Sequence, residues 1–422
     1  METDGNRPDW EPGTGMIYLG MSAWDGMWKS RQQLMSRFSA EMPILYVEPW
    51  VTLRSLRKGK RTLREIAQHF GRTRVSRHEP NVSVLHSSTL LPVSGSRMLG
   101  SMTRRMWIAA VKNAARSSGI TRPILWVCRP ELGFAIGSLG EKFSIYHVVD
   151  EYAGYTGQSE SAVERLLETE SHTLDRVDVT VAASPELVKA KSAPGRDVIL
   201  LENAVEPTAY RNARAARKKP RDIESLSGPK IGYCGLIGKR LNLGLLQNLA
   251  EARPDYRLIM IGKVDPRESE VAIARLAALP NVHFLGEKGS QDVPDYITSL
   301  DVGLLPYAVN IETRHISPIK MYEYWAAGIP VVSTGIPAAI KHEFALEIAD
   351  DSERFIAKVD DAIDRNGVRD EAYLLALAEE NSWQSRVDSV RQEIKVRLNS
   401  RKNTTGVQLL QAVAPDPSQD RV

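Results

Sequence analysis

Short apolar runs alternate with polar, helix-forming stretches along most of the sequence, and this alternation restricts the possible folds more than any other feature. Such an order is typical of α/β proteins, in which parallel strands form a sheet covered by helices. The predicted strands fall into two series. The first comprises Met16–Leu19, Ile44–Val47, Val82–Leu85, Ile124–Val127, Ile145–Val149, Val179–Ala182 and Val198–Leu201. The second comprises Ile231–Cys234, Leu258–Ile261, Val282–Leu285, Val302–Leu305, Val331–Ser333 and Leu346–Ile348.

A polar, basic segment, RNARAARKKPRDIESLSGP at Arg211–Pro229, separates the two series. A chain of 422 residues has room for two or three domains, because a domain usually holds about 150 residues. We therefore predict two Rossmann-like, doubly wound parallel-sheet domains that face a central cleft. Their predicted bounds are 16–205 and 230–382, with an interdomain linker at 206–229. The other predicted segments are a flexible start at 1–15, a helix at 383–400 that packs back on the first domain, and a disordered tail at 401–422.

The composition is that of an ordinary globular protein, with 42% hydrophobic and 25% charged residues, which excludes fibrous and wholly disordered chains. The two cysteines, Cys128 and Cys234, have no spacing that supports a disulfide framework or a cysteine metal site. The opening METDGNRPDWEPGTG is acidic and rich in turn residues, and no apolar run reaches the length of a membrane-spanning helix. These features predict a protein of the reducing cytosol, without a signal peptide or a transmembrane segment.

Positive charge is concentrated between Val51 and Arg122, a stretch that contains fifteen lysines and arginines and only two acidic residues, both glutamates. Apolar side chains, among them Met102, Met106 and Trp107, are interleaved with these cations. An amphipathic, arginine-rich stretch of this kind is typical of a surface that binds an anionic membrane. A merely solvated basic surface is the alternative. Nucleic acid is not a predicted partner, because no recognition motif accompanies the charge.

The cleft between two such domains is a site for a nucleotide, but the common nucleotide motifs are missing. LGMSAWDGMW follows the first strand, and IGYCGLIGKRLNLG opens the second domain. Neither is a G-x-G-x-x-G dinucleotide fingerprint with an acid about 20 residues further on, and no G-x-x-x-x-G-K-[ST] loop occurs. Nicotinamide chemistry and phosphate-loop hydrolysis are therefore disfavoured.

The segment NIETRHISPIKMYEYWAAGIPVVST, at 310–334, carries the clearest signal for ligand binding. Pro318 suits the first turn of a helix, and Gly328 with Pro330 suits its end before a strand. The amino end of that helix would face the cleft and attract a diphosphate, with Lys320 adding a positive charge. Glu323 shares a helix face with Lys320 and could accept hydrogen bonds from a ribose diol. An ordinary lysine–glutamate helix pair is the equal alternative.

This segment resembles the donor-binding region of retaining glycosyltransferases with the GT-B fold, close to glycosyltransferase family 4. The family pattern is approximately N-P-x-K-x-Y-E-Y-x-A-A-G-x-P-V-V. WDGMWKSRQQLM at Trp24–Met35 is similar to the opening motif of a bacterial subgroup that includes teichuronic-acid-type and exopolysaccharide enzymes. Further similarities to the family are YVEP at Tyr46–Pro49, YHVVDEYAGY at Tyr146–Tyr155, LENAVEP at Leu201–Pro207, IGYCGLI at Ile231–Ile237 and DVGLLPY at Asp301–Tyr307.

The resemblance implies roles for residues of the second domain. Glu323 matches the second carboxylate of the E-x7-E signature, which binds the ribose, and Lys320 and Ser317 match groups that bind the diphosphate. His315 stands where the first carboxylate is expected and would contact the donor sugar without a fixed negative charge. The remaining donor-binding candidates are Gly235, Lys239 and Arg240 for a second diphosphate clamp, and Gly286 and Glu287 for the nucleobase.

The resemblance also implies that the first domain binds the acceptor. Asp150, which follows a predicted strand and precedes Glu151, is the candidate acceptor-facing carboxylate, and a helix N-cap is its alternative. Trp24, Asp25 and Arg31 are candidates for the floor of the acceptor site, with Trp24 as a sugar-stacking platform and Arg31 as an anion fork. Trp24 and Trp28 could equally be core residues.

The activity implied by the resemblance is transfer of a hexose from a UDP- or GDP-linked sugar to a hydroxyl of a glycan, with retention. Asp150, His315 and Lys320 are the candidate catalytic residues, and no cofactor or metal is expected. The implied acceptor is a polyprenyl-diphosphate-linked glycan for polysaccharide export, which predicts a cytoplasmic protein peripheral to the inner face of the cell membrane. The alternatives are a catalytically inactive nucleotide- or carbohydrate-binding relative, a sugar-nucleotide 2-epimerase and a two-domain oxidoreductase.

Overall fold

The computed structural model describes residues 10–25, 28–49, 74–78, 81–86, 97–152, 159–265, 270–364 and 371–413, and gives the backbone alone for 97–99 and 401–413. These residues form two sheets with helices on their faces, the second wholly parallel and the first parallel except for one edge strand. Two parts of the basic region, 51–73 and 87–96, lie outside the described residues. Residues 1–9 of the predicted flexible start lie outside them as well.

The first sheet has eight strands in the order β3-β4-β2-β1-β5-β6-β7-β8. Every predicted strand of the first series is present. The unpredicted strand, β3, has the polar sequence RVSR and pairs antiparallel with β4 at the edge of the sheet. The strands are β1 (Thr14–Leu19), β2 (Ile44–Val47), β3 (Arg74–Arg77), β4 (Val82–His86), β5 (Arg122–Val127), β6 (Phe143–Val148), β7 (Val179–Ala182) and β8 (Val198–Leu200).

Helices cover both faces of this sheet, because its central strands are apolar on both sides and must be shielded from water on both. One core lies around Trp126, Phe38 and Tyr46, and a second lies around Trp107, Leu125 and Val148. The described helices of this domain are α1 (Ser30–Phe38), α2 (Arg97–Ser117), α3 (Glu160–Leu174) and α4 (Pro185–Lys191), with a 3₁₀ helix at Pro130–Ala135.

The second sheet has six parallel strands in the order β11-β10-β9-β12-β13-β14, and all six were predicted. They are β9 (Lys230–Cys234), β10 (Arg257–Ile261), β11 (Val282–Gly286), β12 (Val302–Leu305), β13 (Val331–Ser333) and β14 (Glu347–Ile348). The reversal of strand order beside β9 is the topological switch point at which ligands of such sheets bind.

The segment 206–229, predicted as a linker, contains two helices, α5 (Pro207–Ala216) and α6 (Arg221–Glu224). Tyr210 and Ile223 from these helices are buried in the core of the second domain. The segment therefore packs as part of that domain. The helices after it are α7 (Leu243–Ala252), α8 (Glu270–Ala277), α9 (Val293–Ile297), α10 (Ile319–Ala327), α11 (Pro337–Ile340), α12 (Ser352–Asp364), α13 (Glu371–Glu380) and α14 (Trp383–Val413).

Helix α14 crosses back to the first domain. Trp383, Val387, Val390 and Ile394 are buried in the same core cluster as Trp126. The crossing is fixed by backbone hydrogen bonds, since the Val205 N–H donates to the Asn381 carbonyl at 3.1 Å and the Trp383 N–H donates to the Val205 carbonyl at 3.0 Å. The helical backbone continues to Val413, through the first part of the predicted tail, and 414–422 lie outside the described residues.

Within the part of the chain that the structure describes, none of the helices combines the length and the apolar character needed to cross a membrane.

Candidate functional site

The carboxyl ends of the two parallel sheets meet at the domain junction, where side chains from both domains contact each other. Asp150 follows β6 in the first domain, and its Oδ2 lies 3.2 Å from the guanidinium of Arg240, which follows β9 in the second. The side-chain amide of Asn203, after β8, donates a hydrogen bond to the Ser317 carbonyl at 2.6 Å. Glu202 forms an ion pair with Lys341 at 2.5 Å. These contacts place the predicted acceptor carboxylate and the predicted donor site on facing sides of one cleft.

Helix α10 presents its amino end at this junction. Pro318 is its N-cap and makes no side-chain cap hydrogen bond, while Gly328 ends the helix in the left-handed conformation with φ 74°. Met321, Tyr324 and Trp325 bury the opposite side of the helix in the core of the second domain. The predicted helix start and stop are confirmed, and the first turn is left without a capping side chain, as suits an anion-binding helix end.

Lys320 and Glu323 form an ion pair at 2.5 Å, one turn into α10. Burial opposes the charge on Lys320, but Cys234 and Glu323 beside it outweigh this and hold the pKa of Lys320 above its ordinary value. Burial also raises the pKa of Tyr210, and the neighbouring Glu323 carboxylate raises it further. Lys320 is therefore a permanent cation at the helix end, and Glu323 interacts with both Lys320 and Tyr210.

The second predicted clamp, Lys239 and Arg240, lies in the loop after β9, and both cations have carboxylate partners. Lys239 contacts Glu312 at 2.9 Å, and Arg240 contacts Asp150. Lys320 is likewise paired with Glu323, so each predicted diphosphate-binding cation has a carboxylate partner in the protein. A diphosphate would exchange these intramolecular partners for its own oxygens.

Glycines line the edge of the second sheet above β9, β10 and β11. A Cβ atom on Gly262, which has φ 140°, would lie 1.8 Å from the carbonyl oxygen of Gly235. The Gly235 N–H donates to the Ile261 carbonyl at 2.8 Å, and the Gly262 N–H donates to Gly286 at 2.9 Å. The backbones of Gly235 and Gly262 approach too closely for a side chain on Gly262. Gly286 and the exposed Glu287, the predicted nucleobase-binding residues, lie at the far end of this sheet edge.

His315 and Ser317 lie in the loop just before α10. The Nδ1 atom of His315 is buried and has no hydrogen-bond partner among the described residues. The Ser317 hydroxyl accepts a hydrogen bond from the Asn203 backbone N–H at 3.2 Å. Ser317 therefore links the loop before α10 to the first domain in addition to lying beside the helix end.

The acceptor-side predictions have mixed outcomes. Trp24 is 4% exposed and packs edge-on against Tyr46 in the core, so the predicted sugar-stacking platform is wrong and the core alternative is right. Asp25 is exposed and contacts His78 rather than forming a floor. The Arg31 Nε atom is buried without a hydrogen-bond partner among the described residues. Tyr152 begins a helical turn two residues after Asp150, but residues 153–158 lie outside the described residues, so the helix-cap alternative for Asp150 stays a prediction.

Sequence reasoning missed three groups that shape the site. The sequence places Asn203 and Glu202 in a junction motif without a role, yet both contact the second domain. Tyr210 falls in the predicted linker but lies against Glu323. The polar residues inside the apolar LENAVEP motif are the signal that could have indicated Asn203 and Glu202.

Metal ligands are sparse at this site. Within the described ranges, no group of three or more His, Cys, Asp or Glu side chains is placed to hold a metal ion. The cations and the helix end are the groups available to compensate a diphosphate there.

Residues 228–365 match the family model for glycosyl transferases group 1. The match lies within the second domain and covers 138 of the 422 residues. Solved structures agree on the fold. The chain is similar to HepE of Anabaena in complex with UDP, with a TM-score of 0.63 and 13% identity over 91% of this chain and 99% of that one. It is equally similar to an α,α-trehalose-phosphate synthase (UDP-forming) of Burkholderia xenovorans, with a TM-score of 0.63 and 9% identity over 90% and 99%. The predicted GT-B fold is confirmed.

Among curated relatives, the chain is 29% identical over 215 residues to the putative teichuronic acid biosynthesis glycosyltransferase TuaH of Bacillus subtilis (strain 168). This match covers 48% of this chain and 52% of the relative. It is 27% identical over 166 residues to the 2-deoxystreptamine glucosyltransferase of Streptomyces kanamyceticus, covering 37% and 42%. The chain spans about half the length of the curated relatives it matches. These similarities support a glycosyltransferase enzyme.

Proposed function

We propose that this protein transfers a hexose from a UDP- or GDP-linked sugar to a hydroxyl of a glycan. The observation that carries the proposal is the uncapped amino end of α10, with Lys320 and Glu323 in its first turns, in a domain whose Arg240 contacts Asp150 of the other domain. A diphosphate fits the helix end and the cation, and Glu323 offers two acceptor oxygens to a ribose.

Departure of the diphosphate is the demanding step of such a transfer. Negative charge grows on the phosphate oxygens as the glycosidic bond breaks, so fixed positive groups stabilise the transition state more than the ground state. Lys320 keeps its charge at any physiological pH, because its pKa is held above the ordinary value. We expect Lys239 and Arg240 to add positive charge at the diphosphate once it replaces their carboxylate partners, and we expect no metal or other cofactor.

On the acceptor side, Asp150 is the group we expect to accept a hydrogen bond from the attacking hydroxyl. It is partly exposed at the cleft, with its side chain 20% accessible. Attack from the same face as the departing diphosphate would retain the anomeric configuration, as in the family that the donor segment resembles. The name of the Bacillus relative, a teichuronic acid biosynthesis enzyme, supports a glycan acceptor, which we propose is linked to a polyprenyl diphosphate.

A lipid-linked acceptor requires access to a membrane, and helix α2 supplies a suitable surface. Met102 and Met106 are 55% and 51% exposed, and Arg105 lies exposed between them. Trp107, which the sequence suggested for this surface, is instead 2% exposed and packs against Phe134 in the core. We propose that the exposed methionines and basic side chains of α2 bind the anionic inner face of the cell membrane, which makes the protein a peripheral membrane protein of the cytoplasm.

A thermal-shift screen against UDP, GDP, ADP, NAD and their sugars tests the donor proposal. A ligand that binds only the folded state raises Tm by an amount set by RT ln(1 + [L]/Kd). We expect a shift with UDP or GDP and with one of their sugars, and its loss in Glu323→Ala. Glu380→Ala, which removes an exposed glutamate at the end of α13, is the matched control and should keep the full shift.

The alternatives give different results. Donor binding without turnover on any glycan acceptor would favour a catalytically inactive relative, for which the histidine at position 315 is the motivating feature. Interconversion of sugar nucleotides without an acceptor would indicate a 2-epimerase. A shift with NAD alone, or none with any nucleotide, would contradict the proposal.

Sedimentation with vesicles of mixed neutral and anionic lipids tests the membrane proposal. Binding should weaken as salt rises above about 0.1 M, where charges are screened beyond about 10 Å. Replacing Met102 and Met106 with serine should reduce binding at low salt. The control replaces Leu167 of α3, an equally exposed apolar residue, with serine. No binding to anionic vesicles at low salt would refute the membrane proposal and leave the donor proposal standing.

A further inference from the structure

A buried lysine ties the residue that follows Asp150 to the body of the first domain. Lys191, the last residue of α4, has a side chain that is 7% exposed. Its Nζ atom lies 2.8 Å from a carboxylate oxygen of Glu151 and 2.8 Å from one of Glu170, in α3. The Glu170 carboxylate also accepts a hydrogen bond from the hydroxyl of Tyr146, in β6, at 2.9 Å. We name Lys191, Glu151, Glu170 and Tyr146 the lysine clamp.

The charges of the lysine clamp are costly to bury. Burial opposes the charge on Lys191, but hydrogen bonds to Glu151 and Glu170 outweigh this and hold the pKa of Lys191 above its ordinary value. A buried ion pair is weak evidence for stability, because apolar side chains of similar volume often stabilise a core as well or better. What an ion pair adds is a fixed geometry. The lysine clamp is therefore best explained by what it holds in place.

Glu151 connects the lysine clamp to the acceptor-side carboxylate. Its backbone N–H donates a hydrogen bond to Asp150 Oδ1 at 3.0 Å, while its own carboxylate is held by Lys191. The next residue is fastened as well, since the Tyr152 hydroxyl donates to the Cys128 carbonyl at 3.2 Å. Two consecutive residues after Asp150 are thus tied to other elements of the first domain.

We propose that Lys191 is a positioning residue that holds the Asp150 carboxylate in place for the acceptor hydroxyl. The inference rests on the proposed function, in which Asp150 accepts a hydrogen bond from that hydroxyl. Asp150 Oδ2 contacts Arg240 of the second domain, and a bound diphosphate would attract Arg240 away from it. The lysine clamp lies wholly within the first domain, so it keeps the carboxylate in position during this exchange.

Lys191→Met tests the inference, because it removes the cation and keeps an unbranched side chain. We expect kcat to fall about 10- to 100-fold, since a displacement of about 1 Å at a reacting group can cost on the order of 10²-fold. The affinity for UDP or GDP, measured by calorimetry, should not weaken, because the proposed donor site lies in the second domain. Lys191→Arg can form both ion pairs and should keep most of the turnover.

A double variant separates positioning from stability. Lys191→Met leaves two carboxylates without their shared cation, which lowers stability. Lys191→Met/Glu170→Gln removes one cation and one carboxylate, so it has the net charge of the wild type, and the new amide oxygen still accepts the Tyr146 hydrogen bond. We expect Tm to recover in the double variant while kcat stays low. Recovery of both Tm and kcat would show that Lys191 only stabilises the fold and would overturn the inference.

Hydrogen exchange gives a readout that needs no enzyme activity. Amide protons of residues 149–152, followed by mass spectrometry, should exchange faster in Lys191→Met than in the wild type. Lys189→Met replaces an exposed lysine of the same helix and is the control, with wild-type exchange and kcat expected.

Wild-type exchange or wild-type kcat in Lys191→Met would overturn the inference. A wild-type protein that binds no nucleotide and transfers no sugar would instead contradict the proposed function. Exchange then decides by itself whether the lysine clamp holds the segment after β6.

Discussion

At the scale of single residues, the site is defined by cations that already have partners. Lys320, Lys239 and Arg240 are paired with Glu323, Glu312 and Asp150 respectively. Burying a cation without such a partner would cost free energy, so the carboxylates keep the positive groups in place before a ligand arrives. In the proposed function, donor binding would exchange these carboxylates for phosphate oxygens.

Lys320→Ala tests the role of the cation in the reaction. Removing the charge that faces the departing diphosphate should lower kcat by on the order of 10²-fold, by analogy with the loss of one oxyanion donor. Initial rates with the donor found in the nucleotide screen give the measurement. Lys358→Ala, which breaks the Lys358–Glu347 pair far from the cleft, should leave kcat unchanged. Wild-type kcat in Lys320→Ala would remove the basis of the site assignment.

Asp150→Asn separates the two roles of Asp150. Releasing Arg240 from its carboxylate should tighten UDP or GDP binding by about two- to fivefold, the value of an exposed ion pair. Turnover should fall nonetheless, because the acceptor hydroxyl loses its charged acceptor group. Glu312→Gln releases Lys239 in the same way and should keep its turnover. Calorimetry measures the nucleotide affinity of each variant, and initial rates measure its turnover. Weaker nucleotide binding in Asp150→Asn would contradict the proposed exchange of carboxylates for phosphate oxygens.

At the scale of elements, the strand ends of the second sheet depend on glycine. Gly262→Ala places a Cβ atom against the Gly235 carbonyl, so the ends of β9 and β10 must separate. We expect nucleotide binding to be lost and the protein to be destabilised by more than the roughly 1–2 kcal/mol of a left-handed backbone alone. Gly119 also has a positive φ, 79° against 140° at Gly262, but no neighbour within 4 Å, so Gly119→Ala shows the cost of a positive φ without the contact. Equal urea midpoints for the two variants would show that the contact is unimportant.

The elements that the sequence predicted well are those whose burial appears as an apolar run. All central strands belong to this class, for example Ile124–Val127. Strand β3 was missed because RVSR is an exposed edge strand with no apolar period. The sequence does not predict helices α5 and α6, because their segment is mostly polar and basic. A few buried apolar positions such as Tyr210 and Ile223 are too sparse to indicate a packed helix.

The candidate site was only partly predictable for a related reason. The helix end, Lys320 and Glu323 lie within one contiguous segment, so their spacing alone defines their geometry. The pairing of Asp150 with Arg240 depends on how two domains pack, and no local pattern reports it. Trp24 lies in a loop that faces the cleft by topology, but its ring turns inward to fill space beside Tyr46.

At the scale of the whole molecule, each domain contains a buried histidine that must stay neutral. Burial lowers the pKa of His147, in β6, to about 4. Burial also lowers the pKa of His342, after α11, to about 4, and the nearby Lys341 and Arg386 contribute. An unfolded histidine titrates near 6.5, so between that pH and about 4 the unfolded state binds more protons than the folded state.

The free energy of unfolding should therefore be largest above pH 6.5 and fall as the pH decreases towards 4. Each histidine contributes a slope of about 1.4 kcal/mol per pH unit across that window. His342→Phe removes one contribution and fits an aromatic pocket formed by Tyr322, Trp325 and Phe344. Urea unfolding at several pH values should show the shallower slope in His342→Phe, and an unchanged slope in His172→Gln. The same slope in all three proteins would contradict the expectation.

The return of helix α14 to the first domain has a consequence for biosynthesis. Trp383 and Ile394 complete a core whose other members, such as Met16 and Trp126, are translated hundreds of residues earlier. One apolar face of the first domain therefore stays uncovered during synthesis until α14 has been translated. Docking of α14 also joins the two domains. A nascent chain that stops before residue 383 exposes this apolar face, and such surfaces are recognised by chaperones and proteases.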